Sequence, residues 1–456
     1  MMKHPVTGED VPDPLDRVII YKYLNARAAE WPEADYIVSN PPFPGKLFLV
    51  ERLGDGYIEA FRDAYKNQVP DGADFVMYWW HKAAILVANN QVKRFGLITS
   101  NSISQSSNRR VVSNAINSTN SVSLIFVIPD HPWIESSDAA SVRIAMTACE
   151  LGIKTGTLVS LISEQNCDSE EIHVNFTRQI GTIYEDLRIG TNITSSTSLQ
   201  SNYGIAGTGL LLGNRGFVIN REQLNNFTIN QPSSKSIINL LFNGDDISER
   251  SRDLFVIDTH GLTEENLASS YPAIYQHLRD FVYAERQVNR DPKLRKYWWL
   301  FRRSNEKTRE SISGLKRFIV TSETSKHRVF VFLDSDCKPE HKLVVIGSED
   351  SYVIGVLSSK VHVAWALSCA AKRGITPVYP KNFCFDRFPF PDPTPEQKQK
   401  IRELGDRLDS HRKQVQAAHP DITITGMYNL LEKLRAGEPF TDIDRAYNNR
   451  ALVSTL

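Results

Sequence analysis

The residues best suited to chemistry are Asn40-Pro41-Pro42-Phe43, directly after the strand-forming run Asp35-Tyr36-Ile37-Val38-Ser39. An amide, two prolines and an aromatic in this order suit work on the exocyclic amino group of a base. Such a nitrogen is a weak nucleophile, because its lone pair is delocalised into the ring. The Asn40 side-chain oxygen and the Pro41 carbonyl can each accept one of its N–H bonds. That favours a pyramidal nitrogen whose lone pair points at a methyl donor. The prolines remove backbone freedom and hold both acceptors in place. Phe43 offers a flat face for a base that has left the duplex. The donor's sulfonium drives the transfer, so no acid–base residue with a shifted pKa is needed. The plainer reading of the same four residues is a proline-rich turn after a strand.

Such a motif needs a strand to carry it and neighbours to line the site. Residues 35–39 read as a short buried strand stopped by Pro41-Pro42. The run at 74–88 is long enough for a helix, with Asp71 or Asp74 as its cap after the Pro70-Asp71-Gly72 turn. Residues 94–100 read as a strand, 108–117 as a helix, and 123–129 and 141–149 as strands. The order β-α-β-α-β-β predicts a mainly parallel sheet with an antiparallel hairpin at one edge. Ligands of open α/β sheets bind at the carboxyl ends of the strands, where Asn40 sits. Between 151 and 390 the strand-like runs are shorter, and 196–216 is glycine-rich. Beyond Pro393 the pattern turns helical: Thr394 reads as a cap with Glu396 or Gln397 behind it, and Gly437 as the stop of a second helix from 427.

Composition narrows the class. The 456 residues carry 53 Lys+Arg against 53 Asp+Glu, with 41 % apolar and 23 % charged residues, which excludes a mostly disordered chain. The longest apolar runs, such as 83–88, are far short of the ~18 residues that span a bilayer, and the N-terminus is too polar for a signal peptide. Cys149, Cys167, Cys337, Cys369 and Cys384 form no CxxC pair, which argues against a disulfide framework and a metal site. The expectation is a cytoplasmic protein in a reducing compartment, with no membrane contact. Zero net charge hides a local excess. Residues 286–328 hold thirteen Lys and Arg against four Asp and Glu, interleaved with Tyr297, Trp298, Trp299 and Phe301. Such a run would neutralise phosphates, with Arg302, Arg303, Lys316 and Arg317 as candidates. Its plainer reading is a solvated face over a buried aromatic stripe.

The segments 31–46, 71–87, 96–110 and 128–147 resemble the adenine-N6 DNA methyltransferases of the MmeI-like (type IIL) group, large single-chain restriction–modification enzymes. Downstream, 355–367 and 379–391 resemble the end of their target-recognition domain, and 424–441 their C-terminal helical segment. The resemblance implies a partial methyltransferase domain at 1–175, an α+β target-recognition domain at 176–392 that binds double-stranded DNA, and a helical segment at 393–456. The fold expected is α/β, the second half of a Rossmann-like methyltransferase sheet. The cofactor implied is S-adenosyl-L-methionine. Asn40 and Pro41 would orient the amino group, Pro42 would stiffen the turn and Phe43 would stack. Asp74 and Phe75 would lie near the cofactor's adenine, with a helix cap as the alternative for Asp74. Trp133, in the loop HPWIES, would line the base pocket or pack as an ordinary core residue.

Two departures qualify the resemblance. No DPACGSG-like cofactor loop precedes Asn40, and relatives carry a nuclease segment and a longer C-terminus not seen here. The expectation is part of a longer enzyme or a diverged short form. Gly204, Gly207, Gly209 and Gly213 lack the leading apolar strand and the acid of a permuted cofactor loop, so they read as the entry to the recognition domain. Three alternatives stay open: cytosine-N4 chemistry, an inactive DNA-binding fragment, and a subunit whose cofactor-binding half is a separate polypeptide.

Overall fold

The computed structural model describes residues 21–44, 46–133, 142–165, 173–190, 196–369, 371–373 and 376–453, with the two-residue strands β1 (Met2–Lys3) and β2 (Asp10–Val11). The chain forms two compact units, Met1–Asn192 and Ile193–Leu456.

The first unit is built on a six-stranded sheet. Its strands are β3 (Tyr36–Ser39), β4 (Arg94–Ser100), β5 (Val122–Trp133), β6 (Val142–Leu151), β7 (Gly156–Gln165) and β8 (His173–Gly181), in the order β3-β4-β6-β5-β7-β8. β3 runs parallel to β4 and β5 parallel to β7, and the other three pairings are antiparallel. The antiparallel strand β6 therefore lies inside the sheet and not at an edge as expected. β7 and β8 extend the sheet beyond β5, so it is not mainly parallel. β8 also carries the first unit past the expected boundary at 175. β3 is hydrogen-bonded on one side only among the described residues and is mostly exposed, with Val38 87 % accessible. The expected buried strand is thus an edge strand, apolar in sequence but uncovered.

The helices are α1 (Lys46–Leu53), α2 (Asp55–Ala64), α3 (Val76–Ala88) and α4 (Ser106–Ile116). α3 is apolar on several faces because it is covered on several sides. Val76, Met77, Trp80, Ala83 and Val87 are fully buried. Trp80 meets the Phe95 ring edge-on at 5.3 Å and donates Nε1–H to Thr147 Oγ1 at 3.1 Å, fixing the helix over β4 and β6. Burying an aromatic of this size contributes on the order of 2–3 kcal/mol.

The second unit is mixed α+β. One four-stranded sheet has the order β10 (Val218–Ile219), β12 (Phe255–Ile257), β11 (Ile238–Phe242), β15 (Lys338–Pro339). The other has the order β14 (Val331–Asp334), β13 (Arg317–Ser322), β16 (Leu343–Ile346), β9 (Ala206–Thr208). The helix Pro395–Ala418 begins with the expected Thr394 cap, completed as a box by Gln397, and the helix Ile424–Ala436 stops at Gly437 with φ 70°. The long helix lies against the open side of β14. Asp409 Oδ1 accepts from the Phe332 N–H at 3.1 Å, Arg412 Nη1 donates to the Phe330 carbonyl at 2.8 Å, and Lys413 Nζ donates to the Phe332 carbonyl at 2.9 Å. Side chains thus satisfy the edge groups that a further strand would otherwise take. A third helix, Asp442–Ala451, was not expected; its signal is the capping box Thr441-x-x-Asp444.

Cys149, Cys337, Cys369 and Cys384 are buried free thiols, while Cys167 lies outside the described residues. No single helix among the described residues is long and apolar enough to cross a membrane.

Candidate functional site

Asn40 leaves the sheet at the carboxyl end of β3. The strand pairing sets Ser39 opposite Leu97, so the turn runs out beside the end of β4. Asn40 and Pro42 are exposed, Pro41 is buried, and Phe43 is half-buried against the core of the first unit. Among the described residues the Asn40 side chain and the Pro41 carbonyl have no hydrogen-bond partner. The two expected acceptors are therefore available, on a turn anchored by one buried proline and one packed ring.

A polar network that sequence reasoning missed lies between the end of β4 and the start of α3. The Ser102 hydroxyl donates to Asp74 Oδ2 at 2.6 Å, and Asn108 Nδ2 donates to the same oxygen at 2.7 Å. In return the Asp74 backbone N–H donates to Asn108 Oδ1 at 2.7 Å. Ser100 Oγ lies 2.6 Å from Ser102 Oγ. Ser102 already gives its proton to Asp74, so Ser100 is the donor of that pair. The chain of bonds is directed from the end of β4 toward a carboxylate at the start of α3. Further along, Asp130 Oδ1 accepts from Arg143 Nε at 2.6 Å and from Asn101 Nδ2 at 3.2 Å, tying together the ends of β4, β5 and β6. The available signal was the density of Ser, Asn and Gln in 100–108, directly after a strand.

Asp74 is thus not the side-chain cap of α3, and its Oδ2 is engaged within the network. No side chain caps α3, and the carboxylate is held by Ser102 and Asn108. Phe75 packs on Phe61 and Trp79, at ring distances of 5.0 and 4.7 Å, and faces a cavity of about 480 Å³ walled also by Trp31, Tyr57 and Tyr78. Trp133 is not in a loop. It ends β5, paired with Val142 and half-buried, and the remainder of HPWIES lies outside the described residues.

The basic run of the second unit divides. Arg286 is fully buried and donates Nη2–H to the Leu212 carbonyl at 2.9 Å. Arg309 forms a two-pronged pair with Asp258 at 2.8 and 2.9 Å. Arg328 is buried on Thr321 and Ser322, and burial lowers its guanidinium to about 10. Arg317 is held by Asp406 at 3.0 Å and Ser351 at 2.7 Å, over the Phe332 ring. Trp298, Trp299 and Phe301 are core residues. Arg302 and Arg303 are exposed, and their guanidinium groups have no partner among the described residues. With Lys293 and Lys307 they line an open groove of about 580 Å³ that holds one acid, Glu306. Lys316 is exposed. The glycine-rich stretch belongs to this unit. Gly207 lies on β9, where an added Cβ would meet Thr308 Oγ1 at 2.1 Å, so its glycine serves close packing.

Comparison with known proteins matches residues 17–159 to "MmeI, DNA-methyltransferase domain" and residues 197–392 to "MmeI, target recognition domain". A curated relative, DNA methyltransferase A of Bacillus subtilis (strain 168), is 27 % identical over 108 residues, which is 23 % of this chain and 12 % of that protein. The solved structure of the type IIL restriction–modification enzyme MmeI in complex with DNA superimposes with a TM-score of 0.67 at 17 % identity, over 92 % of this chain and 57 % of that one. That likeness is one of fold. The chain spans little more than half of the solved structure it matches and a small part of the curated relative.

Proposed function

The chain belongs to the MmeI-like family, carrying its DNA-methyltransferase and target-recognition domains, and from that premise we propose that it acts in site-specific methylation of adenine N6 in duplex DNA, as part of a restriction–modification or related defence system. One observation carries the reading: Asn40 stands exposed at the carboxyl end of β3, its amide oxygen and the adjacent Pro41 carbonyl without partners among the described residues. The two oxygens accept the two N–H bonds of the target amine and localise its lone pair. The packed Phe43 ring and Trp133 are the flat surfaces offered to the flipped base. The Asp74–Ser102–Asn108 network holds the start of α3 against the segment after β4 and so preorganises that side of the site. Arg302, Arg303 and Lys316 face the phosphates, while Arg317 serves the fold.

S-adenosyl-L-methionine would supply the electrophilic methyl group. The aromatic cavity at Phe75 fits a flat adenine ring, but the described residues of the first unit include no glycine-rich loop for the methionine end. The uncovered edge of β3 favours a second reading, in which a preceding segment or a separate polypeptide completes the sheet and the cofactor site. One experiment tests both. The chain, alone and supplied with an upstream cofactor-binding segment, is incubated with labelled S-adenosyl-L-methionine and duplex DNA, and the product nucleosides are identified. N6-methyladenine is expected, lost on the order of a hundredfold in Asn40→Ala. N4-methylcytosine, or an undiminished Asn40→Ala, refutes the assignment.

A further inference from the structure

The charge and geometry of the second unit divide its surface in a way that the basic run alone does not reveal. A short antiparallel contact joins Leu211 and Arg303, each backbone N–H donating to the other's carbonyl at 3.1 Å, and Arg302 N–H donates to the Leu212 carbonyl at 3.2 Å. The buried Arg286 braces it from beneath through the Leu212 carbonyl. On one side lies the groove of Lys293, Arg302, Arg303 and Lys307. On the other lies a larger cleft of about 1060 Å³, behind the loop Gly213–Gly216.

The two sides offer different chemistry. The groove presents four bases against a single acid, and phosphate oxygens are acceptors only. In the cleft, Arg252 is already paired with Asp246, and Arg215, Lys342, Glu285 and Glu340 all line the same space. That is a mixture of donors and acceptors, which is what the edges of base pairs present and a phosphate backbone does not.

The loop that carries Arg215 is rigid. Gly213 adopts φ 73°, and an added Cβ would meet Arg302 Cβ at 2.7 Å. Asn214 Oδ1 accepts the Gly216 N–H at 2.6 Å, while its amide donates to Glu285. The Gly216 carbonyl bonds His277 Nε2 at 2.9 Å, and a Cβ on Gly216 would strike Val282 at 2.7 Å. Arg215 projects from this fixed turn, exposed and without a partner among the described residues. Next to it a π-helical turn, Arg279–Tyr283, leaves Phe281 62 % accessible at the wall of the cleft. Such turns recur at functional sites because they re-aim side chains.

We infer that the cleft behind Gly213–Gly216 reads base edges of duplex DNA, with Arg215 and Lys342 as specificity-determining donors, while the Arg302–Arg303 groove holds phosphates. Phe281 supplies an apolar contact of the kind a thymine methyl group takes. The inference rests on the reading of this unit as a DNA-recognition domain.

The test uses the full chain. A randomised duplex pool is sequenced before and after selection by the wild type and by Arg215→Ala, Arg215→Lys, Lys342→Ala and the double variant Arg302→Ala/Arg303→Ala. Salt titration of the affinity for the selected duplex follows. Arg215→Ala and Arg215→Lys are expected to lose about tenfold or more of discrimination at one or two base positions. Arg215→Lys keeps the charge and loses the planar fork, so its salt slope should match the wild type. The Arg302/Arg303 double variant should select the same sequence with a salt slope lower by roughly 0.9 for each contact. If Arg215→Ala selects the wild-type sequence and only lowers the slope, Arg215 is a phosphate contact and the cleft is not a reader. If the wild type retains no duplex at low salt, the recognition reading falls, and this inference with it.

Discussion

Replacing Asp74 by alanine should destabilise the first unit by a measurable amount. The carboxylate accepts from Ser102 and Asn108, and Asn108 is only 5 % exposed. Hydrogen bonds to a charged group each contribute about 1.5–3 kcal/mol, and a donor left buried without a partner costs its desolvation. Water can replace the acceptor for half-buried Ser102, and Asn108 Nδ2 keeps the Ser102 carbonyl and hydroxyl, each at 3.1 Å, so the loss should stay near the contribution of one such bond, about 1.5–3 kcal/mol. With a urea slope of about 2 kcal/mol/M, that moves the midpoint down by roughly 0.8–1.5 M. Amide hydrogen exchange in urea, read in peptides covering 74–116, isolates this unit from the other. Ser102→Ala should cost only about 1 kcal/mol, because Asp74 keeps its bond to Asn108. The double variant should cost less than the sum of the two, since both changes remove the same bond. An unchanged midpoint for Asp74→Ala, or strict additivity with Ser102→Ala, would refute the network.

Two further outcomes concern the second unit. His362 is fully buried, with Nε2 2.9 Å from the Tyr379 hydroxyl, and burial, then the nearby Arg328 guanidinium, lowers its imidazole to about 3. The unfolded chain takes up that proton near ~6.5, so between the two values the unfolded state binds more protons and stability falls with falling pH, by at most ~1.4 kcal/mol per unit. His362→Gln should flatten the pH dependence of the denaturation midpoint in that window, and equal slopes would count against it. Thr394→Ala removes the capping box of the helix Pro395–Ala418 and should cost about 1 kcal/mol, seen as a melting temperature lower by roughly 2–4 °C.

Local signals were legible wherever a residue's job is decided by its near neighbours. The Thr394 cap, the Gly437 stop and the turn at Asn40-Pro41 stand where their types demand. What eluded the sequence was decided by pairing at a distance. The insertion of β6 between β4 and β5 has no local signature, because a strand's own residues do not reveal its neighbour. Val38 looks like core and lies open, since apolar composition does not say whether anything covers it. Arg309 and Arg317 sit in a run of bases that reads as one surface, yet Asp258 and Asp406, which hold them, lie 51 and 89 residues away. Asp74 was noticed for its place at a helix start, while its partners follow the next strand.

The bonding of Asp409, Arg412 and Lys413 to the edge of β14 bears on how this protein can be re-engineered. The family match to the target-recognition domain ends at residue 392, and a swap of specificities would naturally be cut there. Such a graft would leave behind the helix that closes the sheet and move a strand with bare backbone groups into a host whose own helix must supply an acid and two bases at matching heights. A transplant should therefore extend through Ala418, or the host helix should be chosen for those three side chains. Modularity at the level of sequence families and modularity at the level of folding have different borders in this chain.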